Sequence, residues 1–354
     1  MKREALPTGK LDIGILRKLL ERQALRDHTI LVGPKIGEDA AAIDMGDKAL
    51  IVSTDPITFA TDEIGYYSVV INANDIATTG AEPRWYTVTI LIPEERGAEE
   101  LVDSIFQQIY QACEKLGISL IGGHTEITHG LARPILVGQM MGVVQKESLV
   151  STSGAKPGDV ILLSKGIPIE GTSVIARERA GDLPSFGISR ALVERARYFL
   201  FDPGISIVEE ARAAFRTAKV HAMHDPTEGG LANGLHELSI AAGVEIEVNG
   251  DAIPIYEESR ILCEAFNLDP LGVIASGALL VTASPSDSEN ISNKAFECGV
   301  RMTEIGWVKS RGSPSVTMIT SKGSEEPVPY FETDEIIKLL SGWGLGTIDI
   351  SGTI

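Results

Sequence analysis

The chain has 354 residues, with 49 acidic against 31 basic side chains and a net charge of −18. That length favours about two domains with cores of their own over one small unit. The acidity argues against a nucleic-acid surface or an anionic membrane as partner. It leaves nucleotides open, because a bound cation and backbone N–H groups can meet phosphate locally.

No run reaches the roughly 18 apolar residues of a membrane span. Residues 1–10 hold no apolar signal core, so a cytoplasmic protein is expected. Cys113, Cys263 and Cys298 form no C-x-x-C pair. Buried free thiols in helical patterns are expected there, and no zinc site.

In chain order, Leu11, Ile15, Leu19 and Leu20 recur at helical spacing, which predicts a helix to about Leu25 with Asp12 as its cap. An acidic turn, Gly37-Glu38-Asp39-Ala40, precedes an apolar strand over 49–52 that runs into Ser53-Thr54-Asp55. A helix over 62–79 carries Asn72, Asn74 and Asp75 and stops at Gly80. A β-branched and aromatic strand follows over 85–92, then a helix over 97–116 ended by Gly117. A short strand over 118–121 leads into Gly122-Gly123-His124-Thr125, and an apolar strand covers 134–144.

The Ser, Gly and Pro of 148–159 make a loop, where a domain boundary is placed. The divisions expected are 1–150, 151–340 and a Gly-rich, mobile tail over 341–354. The second unit reads as helices over 171–180, 189–198, 205–216, 227–242, 257–266 and 286–298. Strands are expected over 160–163, 222–223, 244–248, 279–283 and 303–307, with a polar turn over 321–329. This interleaving predicts a layered mixed sheet with helices.

Glu38, Asp39, Asp55 and Asp75 stand among apolar residues, and burying carboxylates costs several kcal/mol unless they are paired or metal-bound. Oxygen-only clusters suit Mg²⁺. Asn72 and Asp75, three apart, share a helix face. The residues alone leave two readings open: a magnesium and phosphate face, or a solvated face with local side-chain bonds. Gly122-Gly123 lets backbone N–H groups approach an anion, and is equally an ordinary tight turn. At His224-Asp225-Pro226-Thr227-Glu228-Gly229-Gly230, Asp225 as cap, Pro226 at the first position and Glu228 make a helix start. Its glycines suggest a ligand or a backbone packed close by. No Walker loop or G-x-S-x-G elbow is present.

Taken together and in order, five motifs resemble the superfamily of AIR synthases, selenophosphate synthetases, thiamine-monophosphate kinases and the hydrogenase maturation protein HypE. They are Gly37-Glu38-Asp39-Ala40-Ala41, Ser53-Thr54-Asp55, Asn74-Asp75-Ile76-Ala77 with Gly80-Ala81-Glu82-Pro83, Gly122-Gly123-His124-Thr125, and Asp225-Pro226-Thr227-Glu228-Gly229-Gly230-Leu231. The second half resembles HypE most, also at Ile253-Pro254-Ile255 and Leu268-Asp269-Pro270-Leu271.

The resemblance implies an α/β (α+β) two-domain PurM-like fold. Its N-terminal sheet domain would form a dimeric barrel, and its C-terminal domain a layered α/β unit. It implies ATP and Mg²⁺ as cofactors, an unidentified small substrate, a homodimer and a metallocentre-maturation protein as partner. Asp39, Asp55 and Asp75 would hold the metal, with Asp55 and Asp75 catalytic. Glu38, Asp39, Asn72, Gly122, Gly123, His124, Thr125, Asp225 and Thr227 would line the nucleotide.

Three departures narrow this. The chain ends Ile350-Ser351-Gly352-Thr353-Ile354 where HypE ends in cysteine, so thiocyanate chemistry on its own tail is not expected. Ala275-Ser276-Gly277-Ala278 replaces the Asn-Glu-Gly-Lys usual in HypE, removing a carboxylate. His124 looks more like selenophosphate synthetases, yet no cysteine lies in residues 1–37. The expected function is HypE-like, ATP-dependent activation of a small substrate by phosphoryl transfer or dehydration. The alternatives are a small-molecule kinase and a non-catalytic nucleotide-binding paralogue.

Overall fold

The computed structural model describes residues 6, 8–22, 27–58, 62–96 and 99–340. The expected Gly-rich tail lies outside them. The first half runs α1 (Ile13–Leu20), β1 (Ile30–Val32), β2 (Ala41–Asp44), β3 (Lys48–Ile57), α2 (Ile64–Thr78), β4 (Glu82–Pro93), α3 (Glu99–Leu116), β5 (Ser119–Thr128) and β6 (Ile135–Gln145). The second half runs β7 (Val160–Ser164), α4 (Ile169–Glu178), α5 (Arg190–Tyr198), α6 (Val208–Thr217), β8 (Val220–His224), α7 (Gly230–Ala242) and β9 (Val244–Asn249). It closes with α8 (Glu257–Phe266), β10 (Leu280–Ala283), α9 (Pro285–Glu297), β11 (Met302–Arg311), β12 (Ser315–Ile319), β13 (Glu325–Pro327) and α10 (Ile337–Leu340).

The strands form two sheets. The first has the order β1-β2-β3-β6-β4-β5 and is antiparallel except for the parallel β4–β5 pair. The second has the order β13-β12-β9-β11-β7-β10-β8, with β12–β9 its one parallel pair among the described residues. This is the mixed α/β architecture with two sheets expected of a PurM-like fold.

Helix α2 is the pivot. All 15 of its residues are buried. It packs on β3, β4 and β6 on one side and on α3, α6 and β8 on the others. A helix apolar nearly all round belongs inside. The largest apolar core follows it from Ile51 and Ile76 to Leu162, Ile205, Val208 and Met223, so both sheets share that core. Asn74 clasps the halves together: its amide donates to the Ile205 carbonyl at 2.9 Å and its oxygen accepts from the Ile207 N–H at 3.0 Å.

Several expectations are corrected. α1 stops at Leu20, although Asp12 caps it as expected, accepting from the Ile15 N–H at 2.9 Å. Leu25 lies outside the described residues. Gly122-Gly123-His124-Thr125 is not a turn after a strand; it lies inside β5, where the parallel ladder to β4 overrides the glycines' weak strand propensity. The helix cap expected at Asp225 comes four residues later, at Gly229, whose φ of +80° is a left-handed conformation that interrupts the helix. The polar turn over 321–329 contains β13. Cys113 and Cys263 are buried, but Cys298, just past α9, is exposed. β1, β2 and β12, unforeseen from the sequence, are short and weakly alternating.

Candidate functional site

Four acidic side chains converge from separate segments. Asp39 lies before β2, Asp55 on β3, Asp75 on α2 and Asp225 just after β8. Asp39 and Asp55 lie close enough to Asp75 and Asp225 for their charges to oppose ionisation of those two. The sequence builds this locally. Gly37, at φ +82°, lets the backbone lie against α7; a Cβ there would meet the Glu237 carbonyl at 2.5 Å. Gly138 on β6 leaves room for Asn72, whose amide nitrogen would be 2.4 Å from an added Cβ.

Asn72 is fully buried and spends its side chain on backbone. Its oxygen accepts from the Asp55 N–H at 2.9 Å, and its nitrogen donates to the Ser68 carbonyl at 2.9 Å and the Asp55 carbonyl at 3.3 Å. It thereby fixes the strand segment that presents Asp55. Ser53 donates to Asp75 through a very short hydrogen bond. Asp225 is 2 % exposed, and its Oδ2 has no hydrogen-bond partner.

Burial, then the charges of Asp55, Asp225 and Asp39, push the Asp75 carboxyl well above the usual carboxylate range. Burial and Asp39 do the same to Asp225, and burial raises Asp55. Buried like charges at close quarters are unfavourable as they stand. A cation or a proton must compensate them.

One edge is already compensated. Burial opposes protonation of His224, but the Asp39 carboxylate, 2.8 Å from Nδ1, and Glu237, 3.0 Å from Nε2, raise it well above its ordinary value. The imidazolium holds Asp39 in place. Lys10 reaches in from the N-terminal segment. Its Nζ stands 3.4 Å from Glu237 and 3.1 Å from Thr227 Oγ1, and its backbone N–H donates to Glu228 at 3.0 Å. Although burial works against it, Glu237 is lowered to about 2 by Lys10 and His224.

Other expected site residues lie elsewhere. Glu38 accepts the backbone N–H groups of Thr152 and Ser153 at 3.1 and 3.2 Å, stapling β2's approach to the second half. Gly122, Gly123, His124 and Thr125 lie on the exposed edge strand β5. Register runs Asp55–Gly138–Val88–Gly123 across four strands, so Gly123 is about 14 Å from Asp55 at ordinary strand spacing. His124 is solvent-exposed, 3.6 Å from Glu126. Within one chain, the glycine pair and the acidic cluster are therefore separate. Sequence reading missed Lys10 and Glu237 entirely and gave His224 no role. Lys10 stands 29 residues ahead of Asp39 and inside no motif, so nothing local marks it.

Among the described residues, no three His, Cys, Asp or Glu side chains form a ready metal cage. Mg²⁺ usually takes one or two carboxylates and completes its shell with water and phosphate oxygens. The unpartnered Asp225 oxygen and the mutually destabilised carboxyls fit such a shared ion.

Comparison with known proteins finds matches over most of the chain. Residues 37–144 match the AIR synthase related protein N-terminal domain, and 156–319 its C-terminal domain. A putative hydrogenase expression/formation protein of Methanocaldococcus jannaschii is 27% identical over 268 residues, 73% of this chain and 75% of the relative. Carbamoyl dehydratase HypE of Cupriavidus necator is 26% identical over 313 residues, 86% of each chain. Among solved structures, a HypE–HypF complex superposes with TM-score 0.71 at 22% identity, over 89% of this chain and 99% of that one. HypE in complex with ATP gives 0.65 at 22%, over 85% and 91%. A ThiL protein complexed with AMPPCP and TMP gives 0.67 at 20%, over 88% and 97%. At these identities the structural likeness speaks to the fold.

Proposed function

The chain belongs to the AIR synthase related family, and we propose that it is a HypE-like enzyme using ATP and Mg²⁺ to activate a small substrate by phosphoryl transfer or dehydration. The observation that carries this is the convergence of Asp39, Asp55, Asp75 and Asp225, with one Asp225 oxygen left unsatisfied. Asp39, Asp55, Asp75 and Asp225 would hold the cation and, through it, the phosphates. Bound there, Mg²⁺ would neutralise phosphate oxygens and align the transferred group. The chain's own groups do the positioning: Asn72 fixes the Asp55 backbone, Ser53 steadies Asp75, and His224 steadies Asp39. Lys10 brings a cation to the rim. The ATP-bound HypE structure supports the nucleotide, and the HypE–HypF complex supports a maturation protein as partner.

A homodimer belongs to the same proposal. The first sheet leaves Leu50, Val52, Trp85, Val137, Met141 and Val143 half-buried on its face away from α2. The neighbouring edge β5 exposes Ile121 at 55 % and Ile127 at 53 %. Open apolar edges of this kind ask for a covering. A second copy laid on that face would also bring another Gly122–Thr125 segment towards the cluster.

The test is calorimetric titration of ATP with and without Mg²⁺, followed by an ADP assay on the wild type and on Asp55→Asn and Asp75→Asn. Magnesium-dependent binding that both variants lose supports the site. Binding and turnover unchanged in both would remove these residues from it. A phosphorylated acceptor as product would favour a small-molecule kinase, the second reading kept open by the ThiL likeness.

A further inference from the structure

A second site lies on the far side of α2. A cavity of about 280 Å³ opens between the end of the first sheet and α6. Ala77, Val143, Val208 and Phe215 contribute its apolar lining. Its walls carry Lys48, Arg84, Arg212 and Arg216 around a single carboxylate, Glu82. Four cations against one carboxylate make a local excess of positive charge, in a chain whose net charge is −18.

The arginines are preorganised. Glu82 accepts from Arg212 Nε at 3.1 Å and Nη2 at 2.7 Å, and from Arg216 Nη2 at 2.8 Å. This fixes both guanidinium planes while leaving each with further N–H donors, since a guanidinium has five. Lys48 and Arg84 are exposed, and among the described residues neither has a carboxylate within ion-pair distance. Forked, pre-set arginines beside free cations match the oxygens of a phosphate group.

This cavity is not the acidic site. Lys48 and Asp55 are seven residues apart on the same extended strand, about 23 Å. On α2, Ala77 follows Asp75 by two positions, which turns it to the opposite face of the helix. We propose that the cavity binds a small phosphate-bearing metabolite, its phosphate held by Arg84, Lys48 and the Arg212–Arg216 pair and its body resting on Phe215. The occupant bridges the halves of the molecule, because Glu82 and Arg84 belong to the first sheet and Arg212 and Arg216 to α6.

The experiment is calorimetric titration of the full chain with inorganic pyrophosphate and with a hexose monophosphate, without Mg²⁺ and in 0.15 M chloride. The variants are Lys48→Glu/Arg84→Glu and, as a control on the other site, Asp55→Asn. The expected result is saturable one-site binding in the wild type and in Asp55→Asn, weakened at least about tenfold by Lys48→Glu/Arg84→Glu, a difference of about 1.4 kcal/mol. Both changed side chains are exposed and, among the described residues, without ion-pair partners, and a thermal melt of the double variant checks that it folds. No binding of either probe up to about 10 mM, a free energy under about 3 kcal/mol, would overturn the proposal. So would binding that the double variant leaves intact. None of these outcomes depends on ATP binding at the acidic cluster.

Discussion

Glu170 offers the sharpest quantitative check on the electrostatics of the interior. It sits in the first turn of α4, only 6 % exposed, and its Oε2 has no hydrogen-bond partner. Burial pushes its carboxyl from 4.5 up to about 7, with the charges of Asp334 and Glu228 adding to the rise and a hydrogen bond from Ser276 opposing it. The folded protein therefore holds this proton over a range where the unfolded chain has lost it. Stability is full below the unfolded value of 4.5, falls as pH climbs, and levels off above about 7. At 1.36 kcal/mol per unit, the loss is about 3 kcal/mol. Glu170→Gln keeps the shape and removes the titration. In urea denaturation the variant should match the wild type near pH 4.5 and exceed it by about 3 kcal/mol at pH 8. A variant less stable at pH 8 would mean that Glu170 is ionised and paired, and one offset equally at both pH values would mean that its carboxyl titrates alike in the folded and unfolded chain; either would refute the reasoning.

Asp225→Asn removes one of the opposed carboxyls, so the variant should resist urea better than the wild type without ligand and bind ATP more weakly with Mg²⁺. A loss of both stability and binding would point to a structural role instead. Asn74→Ala breaks the clasp to Ile205 and Ile207 and should cost about 2 kcal/mol, read as a lower urea midpoint, because two buried backbone groups lose their partner. A midpoint within error of the wild type would show that water replaces the amide. Ile121→Lys/Ile127→Lys on β5 should turn a dimer into a monomer in sedimentation velocity at micromolar concentration. A wild-type monomer, or a variant that stays dimeric, would place the covering of that face elsewhere.

The sequence by itself determined the long, strongly patterned elements. Helix α8 was legible to the residue, and β4, β6, α3 and α5 to within a few, because their periodicity is set by burial on one side and survives in any context. Asp39, Asp55 and Asp75 also stood out in the sequence as acids among apolar residues, and the structure brings the three together with Asp225. Packing decided the rest. Gly122-Gly123 reads as a turn until β4 lies beside it and supplies a ladder. Asp225 reads as a helix cap until the left-handed Gly229 frees it to face Asp39. The partners that complete the cluster come from far along the chain: Glu237 is 198 residues from Asp39, and Lys10 is 217 residues from Thr227. Such contacts are made by the closure of two sheets over one shared core around α2, and local spacing carries no trace of them.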